Sequence, residues 1–169
     1  MSNTITPSTG SSAIGRGGAW VLGNRALVRA PIWLYQARLG FLFGSRTLML
    51  EHVGRKSGAK RFVVLEVVGR PASDTYVVAS GFGERAQWFR NLIANPQVRV
   101  SIAGHRPRAA MARRLPTAEA DAVLADYVSR HPRAWASLKN VLENTLGTPI
   151  SEHDTPLPMV ELRLDGRRS

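Results

Sequence analysis

A chain of 169 residues with 44% hydrophobic and 21% charged positions has the size and balance of one globular domain, with disorder expected only at its ends. It has no cysteine, which excludes disulfides, thiolate metal sites and cysteine nucleophiles together and fits a reducing, cytoplasmic setting. Its 23 Lys+Arg against 12 Asp+Glu give a net charge of +11, a field that favours nucleic acid, anionic lipid or a phosphorylated cofactor, although high-GC coding also inflates arginine.

Residues 1–18 are rich in Ser, Thr and Gly and lack an apolar core, so they read as a flexible tail and not as a secretory signal. Residues 19–169 then form a single domain. From 20 to 43, Val21, Val28, Ile32, Tyr35, Leu39 and Leu42 recur on one helical stripe, and Pro31 breaks or kinks the segment. Arg25, Arg29 and Arg38 argue against a membrane span. Such a helix suits the cover of a barrel, and a basic, Trp-bearing one is also suited to peripheral membrane contact.

Three strand-like runs follow, at 47–53, 62–68 and 75–80, separated by turn chemistry at 54–58 and 69–74. Short turns between consecutive strands predict an antiparallel meander. Residues 84–94 predict a helix stopped at Asn95-Pro96. Residues 98–103 and 108–114 predict a hairpin turning at Gly104-His105. A helix starts at Pro116-Thr117, with Thr117 as its cap and Glu119 in its first turn, and ends near His131-Pro132. Another presents Trp135, Leu138 and Leu142 on one face, and 159–164 supplies a last strand. The sum is an α+β split β-barrel of about six mainly antiparallel strands with peripheral helices.

Three segments could carry chemistry. Gly54-Arg55-Lys56-Ser57-Gly58, followed by Lys60 and Arg61, combines a tight turn with exposed amides, two cations and a hydroxyl, which can hold a phosphate as a nest does. Basic Gly/Ser turns are also common as plain solvated loops. Ala79-Ser80-Gly81-Phe82-Gly83-Glu84-Arg85-Ala86 contains G-x-G-x-x-A, but no crossover unit surrounds it and no acidic residue follows at the spacing a ribose ligand needs. Small residues there would still let backbone approach a flat ring. In Gln87-Trp88-Phe89-Arg90-Asn91-Leu92, Trp88 and Leu92 share a face suited to core packing, whereas Arg90 and Asn91 could face an anion.

In this order and spacing, Gly-Arg-Lys-Ser-Gly after an apolar strand, Val-Val-Ala-Ser-Gly, and Trp-Phe-Arg-Asn-Leu-Ile-Ala-Asn-Pro resemble the deazaflavin (F420)-dependent nitroreductase family, split β-barrels related to flavin-binding reductases. The likeness covers 48–100 and continues more loosely to the last strand. It implies that Arg55, Lys56 and Ser57, with Lys60 and Arg61, grip the phosphate and acidic tail of coenzyme F420. Val78, Ala79, Ser80 and Gly81 would line the deazaflavin ring, and Gln87, Trp88, Phe89, Arg90 and Asn91 would complete the pocket. The implied activity is transfer of a hydride from reduced F420 to a small unsaturated, quinone-like or nitro acceptor. FMN as the cofactor, and a non-catalytic F420 carrier, remain open. One branch of the family uses a tyrosine near the His-Pro position. Here that stretch holds none after Tyr127, and Glu51-His52-Val53 stands where members often carry threonines.

His52, His105, His131 and His153 are too far apart in sequence for a zinc pair. His131, before a proline, reads as a helix C-terminal residue and is kept as the one candidate proton donor; the catalytic group is otherwise unassigned. No metal is expected. Nucleic acid is not, because the aromatics fall in amphipathic patterns. A monomer and a homodimer both stay open.

Overall fold

Alternation along the first strand decides which side of the sheet becomes the core. Leu48 and Leu50 are fully buried and point one way, and their cross-strand partners Leu65 and Val63 on one neighbour, with Ile102 and Val100 on the other, continue the same apolar layer. In the computed structural model, which describes residues 46–166, this layer is the inside of a closed six-stranded barrel. The strands are β1 (Thr47–Val53), β2 (Lys60–Ala72), β3 (Thr75–Ala79), β4 (Gln97–Ile102), β5 (Arg108–Arg114) and β6 (Met159–Leu164). They close in the order β1-β2-β3-β6-β5-β4, and each adjacent pair is antiparallel. Closure leaves no unpaired sheet edge.

Three helices join the strands: α1 (Gln87–Ala94), α2 (Thr117–Arg130) and α3 (Pro132–Leu146). The first turns Phe89 and Leu92 into the barrel interior, together with Ala86. The other two make a second core outside it, where Leu124, Tyr127 and Trp135 pack on Val68, Val77 and Met159. Helix α2 approaches β2 closely at Gly69: a Cβ there would lie 3.0 Å from Val123 Cγ1. The chain leaves α3 through Gly147, whose φ of 74° is the left-handed conformation that favours glycine.

The expected tail over 1–18 and the helical segment over 20–43 lie outside the described residues. Elsewhere three expectations need correction. Strand β2 runs on past Val68 to Ala72, because register shifts around Gly69 bulge it enough to admit Pro71, and the turn shrinks accordingly. The helix expected over 84–94 is split: Gly83–Arg85 form a 3-10 turn, and Ala86, extended at ψ 128°, separates it from α1. Thr117 does not cap α2. The Pro116 carbonyl accepts the first helical bond from Ala120 at 3.0 Å, so Pro116 is the cap and Thr117 already lies inside the helix. Among the described residues no helix is long and apolar enough to cross a membrane.

The barrel interior should dominate stability. Leu50→Ala is expected to cost about 2–5 kcal/mol, read as a lower urea midpoint, whereas Met111→Ala at a half-exposed outward position should change it by less than about 0.5 kcal/mol. Equal costs would mean that the layers are misassigned.

Candidate functional site

Two connections gather the suspected segments. Strands β1 and β3 both run antiparallel to β2, β1 along residues 60–66 and β3 along residues 67–72, so the end of β3 lies beside the middle of β2. The 80–86 connection and α1 carry the chain from there to the 54–59 turn, where Gln87 and Asn91 meet Arg55.

The turn is held by its own backbone, with Gly54 N donating to Ala59 O and Gly58 N to Gly54 O, both at 2.8 Å. Gly54 is buried, and a Cβ on it would lie 2.8 Å from Ser57 Oγ and 2.9 Å from Arg61 Nε. Ser57 and Arg61 thus converge on the glycine, while Ser57 Oγ accepts from Ala59 N at 3.3 Å. Four cations, Arg55, Lys56, Lys60 and Arg61, stand between positions 55 and 61. Among the described residues the carboxylate paired with this cluster is Glu51, 3.2 Å from Lys60. Arg55, Lys56 and Arg61 have no carboxylate partner among the described residues, and Lys56, Lys60 and Arg61 are exposed.

Arg55 ties this turn to α1. Its backbone N and its Nη1 both donate to Asn91 Oδ1, at 3.1 and 2.9 Å, and Nη1 also donates to Gln87 Oε1 at 3.1 Å. Nε and Nη2 have no partner among the described residues. Asn91 is buried, and its Nδ2 donates to Nδ1 of His52, also buried, at 3.2 Å. Burial first, and the Arg61 charge second, lower the pKa of His52 to about 4, against the effect of a backbone hydrogen bond at Val53. The imidazole is neutral near pH 7.

The other expected site residues fall into two groups. Ala79 and Gly81 are half-buried, and Gly81 is close to Leu142 of α3, whose Cδ2 would be 2.9 Å from an added Cβ. Trp88 is half-buried and packs edge-on to Phe89 at 5.9 Å. Arg90 is exposed and donates from Nε to Glu84 O at 3.0 Å. Val78 and Phe89, by contrast, belong to the barrel core, and Ser80 is fully buried with its Oγ donating to Gly83 O at 2.7 Å. Those three side chains hold the scaffold together.

His131 sits apart from this cluster, at the joint of α2 and α3, with its ring 5.2 Å from that of Tyr127. Both line a cavity of about 250 Å³ with Glu66, Gly69, Arg46 and Arg130. Tyr127 donates to Glu66 Oε1 at 3.0 Å, and Arg46 lies 3.8 Å from the same oxygen. Burial, then the Glu66 charge and the hydrogen bond to it, push the Tyr127 phenol up to about 12, so it stays a donor.

The basic turn and this cavity lie along one strand. Lys60, Phe62, Val64 and Glu66 alternate on the outward face of β2, and six residues of strand span roughly 20 Å. Each residue from Phe62 to Val67 is half-buried, so the described residues leave the strand incompletely covered. The sequence reading missed Glu66, Tyr127 and the role of His52. For His52 a signal existed: Leu48, Leu50 and His52 alternate on one face, which carries the imidazole inward.

A family model described as F420H(2)-dependent quinone reductase matches residues 28–150. A curated protein of Mycobacterium tuberculosis (strain ATCC 25618 / H37Rv), Rv3178, named for F420H(2)-dependent quinone reduction, is 42% identical over 69 residues, 40% of this chain. The match spans 57% of that relative's length. Among solved structures, Atu2129 from Agrobacterium tumefaciens str. C58, described as of unknown function, is 18% identical with a TM-score of 0.53, covering 82% of this chain and 56% of its own. An F420-H2 dependent reductase, FDR-A, is 22% identical with a TM-score of 0.49, covering 70% of this chain and 94% of its own. At such identity the likeness to Atu2129 shows the fold alone.

A neutral buried His52 has a consequence for stability. The unfolded chain takes up a proton near the ordinary value of 6.5, whereas the folded one does so only near 4. The stability it contributes is therefore full above pH 6.5 and is lost as pH falls through that window. Urea midpoints between pH 7 and 4.5 should fall less steeply for His52→Gln than for the wild type. Parallel slopes would place His52 in contact with water.

Proposed function

The chain belongs to the F420H(2)-dependent quinone reductase family, and from that premise we propose that it binds coenzyme F420 along the outward face of β2 and reduces a small acceptor beside it. The observation that carries this reading is the uncompensated cation cluster at one end of an incompletely covered apolar strand. F420 has a flat ring, a sugar-alcohol chain, a phosphodiester and an acidic tail. Its anionic part suits Arg55, Lys56, Lys60 and Arg61, with Ser57 and the turn amides as further donors. Its ring suits Phe62 and Val64 on β2, with Ala79 and Gly81 close behind, where small residues let backbone approach.

The protein's own contribution is placement. Arg55, fixed by Asn91 and Gln87, sets where the anionic end stops, and the length of β2 then sets where the ring lies. Helices α2 and α3 shield one side of that face from water, which strengthens every polar contact beneath them. In its reduced form the bound deazaflavin supplies a hydride. The acceptor then needs a place and a proton. The cavity lined by Tyr127, Glu66 and His131 supplies the place, and the His131 imidazole is the group proposed to supply the proton. A quinone, an enone and a nitro compound all meet these requirements, and the quinone is the one the family's description names.

FMN is the second reading for the same barrel. With Lys60 on Glu51, a single phosphate would not engage all of Arg55, Lys56 and Arg61, which favours the longer anionic chain of F420. Residues 19–169 as one cofactor-binding domain, and a cytoplasmic setting, are part of the proposal. Peripheral membrane contact through residues 20–43 is likewise only part of the proposal.

Replacing Arg55 and Lys56 with Ala together should weaken F420 binding by at least about a hundredfold, since each charge-assisted contact contributes about 1.5–3 kcal/mol. FMN binding should change far less. Single-turnover oxidation of F420H2 by a quinone should slow in His131→Ala with the F420 affinity unchanged. An unaltered F420 affinity in the double variant would sink the assignment of the grip, and an unaltered rate in His131→Ala would remove His131 from the reaction.

A further inference from the structure

We propose that His52 is a positioning residue for the cofactor grip: from inside the barrel it holds the Asn91 amide in the one orientation that fixes Arg55. This rests on the reading of Arg55 as a contact to the F420 anion. Neither His52 nor Asn91 can touch a ligand itself, since they are 4% and 3% exposed. What they control is the half-buried arginine beside them.

Donor and acceptor counting carries the argument. Arg55 offers only donors to Asn91, one from the backbone and one from the guanidinium, so the Asn91 atom facing them must be the oxygen. Asn91 Nδ2 then faces His52 and must donate, which makes His52 Nδ1 an acceptor and puts the ring proton on Nε2. Three groups face the imidazole: Arg61, opposite His52 in the β1–β2 register, disfavours a charged ring, Asn91 reaches it from α1, and a backbone hydrogen bond at Val53 acts against the Arg61 charge. Were the Asn91 amide to turn over, its NH2 would meet two Arg55 donors and its oxygen would face the ring. The two Arg55 donors thus exclude the flipped amide, and His52 Nδ1, accepting from Nδ2, anchors the carboxamide from its other side, so that Oδ1 stays under both Arg55 donors. The guanidinium is kept over the turn with Nε and Nη2 available.

A double-mutant cycle in the full-length protein separates this role from simple packing. F420 dissociation constants are measured by fluorescence titration for the wild type, His52→Leu, Arg55→Ala and the pair, with thermal unfolding of each ligand-free protein alongside. Loss of the lock should weaken F420 binding by about tenfold in His52→Leu. His52→Gln, whose amide oxygen can accept from Asn91, should restore most of it. In the Arg55→Ala background His52→Leu should change the affinity by less than about twofold, because the group it acts through is gone. An equal weakening with and without Arg55, or none in His52→Leu, would overturn the proposal. Histidine nitrogen spectra of the wild type need no variant to fold: they should show the Nε2–H tautomer for His52, and an Nδ1–H tautomer would overturn it. A wild type that binds no F420 would overturn the functional reading and this one together. A wild type that binds it, with weakening in Arg55→Ala and an unaffected His52→Leu, would overturn this one alone.

Discussion

The Asn91 carboxamide joins the two pieces of chain that make the site. One is the β1–β2 turn, which its own backbone hydrogen bonds close and which brings cations close together. The other is α1, which lies over the same end of the barrel and sends Phe89 and Leu92 into the core. Because α1 is anchored by burial, its polar residues are fixed in space, and Arg55 is fixed to them through Asn91 and Gln87. The packing of an apolar core thereby sets the position of a charge. That coupling gives a basic surface loop the fixed geometry that the proposed anion grip requires.

Placement of the remaining parts follows from barrel geometry. Antiparallel pairing puts the 54–59 turn at the start of β2 and the end of β3 beside its middle, and the 80–86 connection with α1 bridges the two. The outward face of β2 then leads from the cations to the cavity beneath α2. Helix α2 is brought down on β2 by the missing side chain at Gly69, and the same approach lets the Tyr127 hydroxyl reach Glu66. One strand thus supplies a charge, a flat apolar track and a carboxylate, each set by its position in a period-two pattern.

Much of this was legible in the sequence. The alternation Leu48-x-Leu50 and the turn residues Gly54, Gly58 and Gly104 give strands that, β2 apart, match the barrel to within a residue, and the motif order identifies the family. What was not legible depends on contacts distant in sequence. The length of β2 hinges on a bulge that lets Pro71 sit in a strand, which local turn chemistry reads as a stop. Thr117 has the right side chain for a cap, but the helix begins one residue too early to use it. Val78, Ser80 and Phe89 fall within motifs that read as ligand-facing, and the pleat and the helix period turn them to the interior. Tyr127 and Glu66 are 61 positions apart and meet only after α2 docks.

The central claim is that the positive end of β2 receives coenzyme F420. The most direct measurement is a calorimetric titration of the intact protein with F420 and, in parallel, with FMN. The account predicts saturable 1:1 binding of F420, clearly tighter than FMN, and weakened by added salt as an ionic grip requires. Equal affinity for the two, tighter binding of FMN, or binding of neither would contradict it.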